Sequence, residues 1–221
     1  MTIAKKFINN DIEYKDYDFE KRKQFRSEKM NKNVAAENLI ELKKIFDAYD
    51  IKFTLLFGTA LGAMRENDFI DHDTDTDTGI FEIDRSKLLQ AIPEILESGF
   101  EIIRTKFPDD LVTFMRNDEY IDVGIFRLTK KNQKEYYTYQ GHMIARYFLD
   151  SLDVVNFLGD TFNVPRNVKF YLTKTYGSDW HIPRRNEPAL NTGSFNLYFR
   201  FKRSFLRTRM GNNIKKLIKK L

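Results

Sequence analysis

The segment "DHDTDTDTGIFEID", Asp71 to Asp84, sets four aspartates at every second position and then turns apolar. Side chains two apart on an extended chain project to one face. With "DTDTG" extended, the strand runs through the aspartates into "TGIFEI", and the carboxylates of Asp75 and Asp77 stand side by side. Two carboxylates held that way repel each other unless a proton or a cation lies between them. Hard cations with oxygen ligands answer that need, Mg2+ above all (or Mn2+), and Mg2+ leaves positions for substrate phosphates. Alone, the alternation reads more often as a solvated edge strand or a turn.

The neighbouring segments change that weighing. Upstream, "IKFTLLFG" (residues 51–58) reads as a buried strand ending at Gly58, and "TALGAMRE" has the composition of a short helix. Downstream, "YIDVGIF" makes Asp122 the lone acid in an apolar strand. A charge there is costly unless paired or bound to metal, although backbone donors would also satisfy it. A strand ending in Gly58-Thr59, an acid pair and a third acid on a later strand together favour the metal reading.

The rest of the chain supplies a scaffold. "VAAENLIELKKIFDAYD" spaces Val34, Leu39, Leu42, Ile45 and Phe46 for a helix, with Asn33 as N-cap. "RSKLLQAIPEILESGF" sets Leu88, Leu89, Ile92, Ile95 and Leu96 on one face, with a kink or a late start expected at Pro93. "FEIIRTKF", "LVTFMRN" and "EYIDVGIFRL" follow as an antiparallel meander. "FNVPRNVKFYLTKTYG" reads as a short strand and then a helix, with Pro165 near its start and Gly177 past its end. This order predicts an α+β fold with a mixed or antiparallel sheet flanked by helices.

The 221 residues suffice for one domain with appendages. We divide them into a charged N-terminal arm or helix (1–33), a catalytic domain (34–198) and a basic amphipathic tail (199–221). Zero cysteines exclude disulfides, Cys-ligated zinc and thiol nucleophiles, which fits a reducing cytoplasm. Three scattered histidines do not make a zinc site. No apolar run is long enough to span a membrane, and the N-terminus has no apolar core of a secretory signal. The net charge is +5, yet Arg200 to Leu221 holds nine basic residues and no acid, which leaves the body acidic. A tail alternating basic with apolar residues suits an anionic membrane surface or an acidic partner. RNA-binding tails share that composition, and a solvated helix end is the plain alternative.

Beyond the acid pair, "FGTALGAMRENDFIDHDTDTDTGI" resembles the LicD/fukutin-related family, whose usual form is near "GTLLGAVRHxGFIPWDDDIDIG". "IDVGIFRL" is similar to that family's "IDIFPL", and the segment through "YGSDWHIP" to its "YGxdWxxP" element. The resemblance covers about residues 53–183 and implies the nucleotidyltransferase fold. It implies that Gly58 and Thr59 form a phosphate-binding turn at a helix start. Asp75, Asp77 and Asp122 become the metal-binding acids, and Arg65 a phosphate ligand. Tyr176 and Trp180 become pocket residues, with core packing the alternative for Trp180. The chain departs from the pattern at Asp71-His72, Thr74, Thr76 and Thr78, which puts the donor pocket in question. Asp71 and Asp73 are expected to shape the loop rather than bind metal.

What the resemblance implies is movement of a phospho-alcohol (choline-, ribitol- or glycerol-phosphate) from a CDP-linked donor to a glycan or glycolipid hydroxyl. Such a protein would be cytoplasmic or peripheral on the inner face of the membrane, where lipid-linked acceptors sit, and nucleic acid is not its expected partner. One alternative keeps the site but uses an NTP and releases pyrophosphate. Another is a non-catalytic RNA-binding or scaffold protein, against which the intact acids argue.

Overall fold

The computed structural model describes residues 3–7, 12–16, 29–106 and 110–183. The chain divides into two compact units, 1–168 and 169–221. Strands β1 (Ile3–Phe7) and β2 (Ile12–Asp16) pair as an antiparallel hairpin. Residues 17–28 of the expected arm, and the whole basic tail, lie outside the described residues.

Helix α1 (Lys32–Ala48) is capped by Asn31, not Asn33: the Asn31 side chain accepts from the Val34 N–H at 3.4 Å. Leu39, Leu42, Ile45 and Phe46 are buried as the spacing predicts. Asn38 is buried in the same stripe and is fully used. Its amide donates to the carbonyls of Arg116 (2.7 Å) and Glu119 (3.3 Å), and its oxygen accepts from Arg116 Nε (2.8 Å). Buried amides persist only when satisfied in this way, and this one ties α1 to the sheet.

Next come β3 (Phe53–Leu55), α2 (Phe57–Arg65), β4 (Thr76–Phe81), a 3-10 turn (Glu82–Asp84) and α3 (Arg85–Glu97). The meander then runs β5 (Glu101–Lys106), β6 (Leu111–Arg116) and β7 (Glu119–Lys131). Strands β8 (Lys134–Tyr139) and β9 (His142–Ala145) extend the sheet beyond the outer half of β7. The central order is β3-β4-β7-β6-β5, with β4 and β7 parallel and the other neighbours antiparallel. The sheet is therefore mixed, flanked by helices, as expected.

Three local expectations are corrected. The strand takes in only the last of the four aspartates, Asp77: it begins at Thr76, and Asp71–Asp75 hold a turn and a bend. That loop is pinned elsewhere, for Asp73 N–H donates to Ile70 O at 3.1 Å and Asp73 O accepts from Met30 N–H at 3.3 Å. In α3, Pro93 lies inside a helix that starts well before it, at Arg85, so the late start is not found. The proline is exposed, and buried Leu88, Ala91 and Ile92 before it and Ile95 after it seat both flanking turns on the core. Leu96, expected on that face, is exposed.

Helix α4 (Arg146–Leu149) leads to the hairpin of β10 (Leu152–Phe157) and β11 (Asp160–Pro165). Asn163 fastens this hairpin to β3, donating to Phe53 O at 2.9 Å while its carbonyl accepts from Thr54 Oγ1 at 3.2 Å. An edge strand left bare invites pairing, and the hairpin covers this one. Helix α5 (Val168–Tyr176) follows. In the second unit its end is closed by Gly177, at φ +103°, whose N–H donates to Thr173 O at 3.0 Å. Among the described residues no helix is long and apolar enough to cross a membrane.

Candidate active site

Buried β3 leads through Leu56, in extended conformation, straight into α2. The start of α2 is stitched to β4 at one residue, Asp77. Leu56 N–H donates to Asp77 O at 3.0 Å, and Asp77 N–H donates to Thr59 Oγ1 at 2.8 Å. The Gly58 N–H donates to the Asp77 carboxylate. Gly58 is required by space: a Cβ there would lie 2.4 Å from Asp73 Oδ2. Asp73 thus closes over the turn, and its Oδ2 is buried without a hydrogen-bond partner among the described residues.

Across the sheet, Asp77 stands opposite Asp122 in the parallel β4–β7 pair. Asp122 faces Thr113 on β6, and Thr113 faces Arg104 on β5. Opposed residues share a face, so one lateral row holds Asp77, Asp122, Thr113 and Arg104. Arg104 Nη2 donates to both Asp122 oxygens, each at 2.5 Å. Thr113 accepts from Arg104 Nε at 2.9 Å and donates to Asp122 Oδ1 at 2.6 Å. On the other face, Thr78 is buried and donates to the Asp122 carbonyl at 3.0 Å, a bond the family's usual apolar residue could not make.

Electrostatics follow from this crowding. Burial chiefly holds the Asp77 carboxyl well above the usual range, reinforced by the charges of Asp75, Asp73 and Asp122; the Gly58 N–H opposes it. Burial likewise raises Asp73 to about 6, against one backbone N–H from Thr74. By surface area both aspartates are only half-buried, yet their carboxyl groups point inward. All these groups offer carboxylate oxygen, the donor type of a hard cation. An unpartnered buried oxygen beside two crowded acids fits one such ion at Asp75 and Asp77. Among the described residues no three acidic or histidine side chains converge on one metal-sized position.

The remaining expected residues are placed as follows. Asp75 lies in the bend before β4, two residues from Asp77. Arg65 sits in the last turn of α2 and pairs with Glu66 at 2.5 Å. Asp71 is exposed and pairs with Lys32 at 2.8 Å. Tyr176 is the last residue of α5, and Trp180 N–H donates to Gly177 O at 3.3 Å in the following turn. Arg104 and Thr113 were not anticipated. Their signal was faint: Thr113 is one hydroxyl in the apolar run of β6, and Arg104 stands among the other polar residues of β5.

Further along the strands from the acids, Gly79 faces Gly124. A Cβ on Gly79 would meet the Phe126 ring at 2.5 Å, and one on Gly124 the Tyr139 ring at 2.6 Å. Tyr139 in turn packs at a tilt against His142 (5.1 Å between centroids), and His142 against Phe57 (4.9 Å). An aromatic wall thus rises beside the carboxylates.

A family model described as "LicD/FKTN/FKRP, nucleotidyltransferase domain" matches residues 50–167, the segment carrying the acids and the α2 turn. The fold, the acids and this match define a transferase of nucleotidyltransferase-domain type. The chain belongs to the LicD/FKTN/FKRP family. No curated protein matches it by comparison. Among solved structures it is similar to a lincosamide antibiotic adenylyltransferase, LnuA, bound to lincomycin. That match has 10% identity over 61% of this chain and 81% of the other, with a TM-score of 0.43. It is also similar to the antibiotic-resistance factor ANT(2'')-Ia, at 12% identity over 79% of this chain and 96% of the other, TM-score 0.44.

Proposed function

We propose that the protein is a metal-dependent phosphotransferase, moving a phospho-alcohol from a CDP-linked donor to a glycan or glycolipid hydroxyl in cell-surface polysaccharide synthesis. The observation that carries the reading is the approach of Asp75 and Asp77 at the open start of α2, with Asp122 directly across from Asp77. Asp75 and Asp77 would hold Mg2+ or Mn2+, with Asp122, the third acid, adding its charge from across the strand pair. When bound, the ion supplies charge neutralisation for a diphosphate and its leaving group. Leu56 gives α2 no side-chain cap, and donor phosphate would approach that helix start. The Gly58 N–H and the Thr59 hydroxyl fix Asp77, and Asp73 shields the turn from water. Arg65, Tyr176 and Trp180 are proposed for donor phosphate and pocket, and residues 199–221 for an anionic membrane surface.

The test is incubation with Mg2+ and, in turn, CDP-choline, CDP-ribitol, CDP-glycerol and the NTPs, assaying CMP and pyrophosphate. CMP from one CDP-alcohol supports the reading. Pyrophosphate from an NTP instead identifies a nucleotidylyltransferase. Unaltered turnover in Asp75→Asn or Asp77→Asn would overturn the metal assignment.

A further inference from the structure

Asp122 comes to the site already engaged. Both its oxygens accept from one guanidinium nitrogen, and Oδ1 also takes the Thr113 hydroxyl. Arg104 is 5% exposed. Its guanidinium cannot shed its proton in a protein, so its charge is permanent.

The backbone is shaped to deliver that charge. β5 and β6 shift register between Ile102 and Arg104: Ile102 faces Phe114, whereas Arg104, two residues on, faces the adjacent Thr113. The extra residue, Ile103, absorbs the shift. Without it, strand alternation would turn Ile103 toward the row and Arg104 away from it. Bulges re-aim side chains in this manner beside active sites. Thr113 then receives Nε at 2.9 Å, leaving Nη2 directed at Asp122.

We propose that Arg104 is the resident counter-charge of the carboxylate cluster: it reserves Asp122, so that the cluster takes one divalent cation, at Asp75 and Asp77, rather than two. The proposal rests on the metal reading above. To ligate Asp122, an ion would have to evict a buried guanidinium that then keeps no carboxylate partner. Mg2+ also gives up its own water reluctantly. Arg104 is therefore a positioning residue, acting through Asp122.

The test reads cation binding without donor, by Mn2+ titration with the free ion followed by EPR. Wild type is expected to bind one equivalent, lost in Asp77→Asn and kept in Asp122→Asn and Arg104→Lys. Arg104→Met is expected to gain a second equivalent, because one positive charge has left the cluster. Two equivalents in wild type, or loss of the single equivalent in Asp122→Asn, overturns the proposal. Asp122→Asn leaves the arginine in place and decides the point should Arg104→Met not fold. No saturable binding in wild type would instead strike down the metal reading on which the proposal stands.

Discussion

Asp73→Asn should stabilise the metal-free protein, by an amount set by pH. The Asp73 carboxyl is raised from 3.8 to about 6 by burial. At about 1.4 kcal/mol per unit, keeping it ionised costs the fold about 3 kcal/mol. The sign follows from linkage: a raised native value favours the protonated group. Stability is thus whole below 3.8 and falls as pH rises through about 6. An asparagine keeps the shape and cannot ionise. The variant should therefore exceed wild type by about 0.5 kcal/mol at pH 4, about 1.5 at pH 5 and about 3 at pH 8. Urea midpoints in EDTA at these three values measure it, and saturating Mg2+ at pH 8 should narrow the gap. A difference that does not change with pH, or a variant less stable than wild type at pH 8, would refute the reasoning.

The other outcomes are quickly stated. Asp75→Asn and Asp77→Asn should each lower cation-dependent donor cleavage by ~10³-fold or more while the far-UV CD spectrum stays native, since neither is needed for the core. Gly58→Ala should weaken Mn2+ binding by roughly 10-fold in the EPR titration, because the new methyl displaces the Asp73 carboxylate from over the turn. Asn38→Leu should cost about 2–3 kcal/mol in urea unfolding, as two carbonyls and Arg116 Nε lose a buried partner. Its Mn2+ affinity should match wild type.

Much of the architecture was legible because periodicity and burial coincide. The stripe of α1 and the three-strand meander follow from apolar spacing alone, and Gly177 from the left-handed residue a helix end favours. The 129–157 segment, with β8, β9 and β10, was opaque: "TKKNQKEYYTYQ" is polar, and its strands are held by pairing, β8 on β7, β9 on β8 and β10 on β11. Alternation also misled. Four aspartates at every second position imitate a strand, but a strand is made by a partner, and the loop instead pins Met30 and Lys32 near the start of α1.

The acids could be read singly, while their geometry could not. Asp122 was conspicuous as a charge in an apolar strand, but that Asp77 lies directly opposite it depends on β4 and β7 being parallel and in one register. A slip of one residue would turn Asp122 to the other face. Two features resist that slip: the Thr78 hydroxyl on the Asp122 carbonyl, and the facing glycines, Gly79 and Gly124, each covered by a ring that any side chain would strike. Arg104 needs a bulge as well, which no pattern of hydrophobicity encodes. What the sequence supplies is a set of charges that cannot be buried alone. The register supplies the partners, and it sets Asp122 between Asp77 and the Arg104 guanidinium.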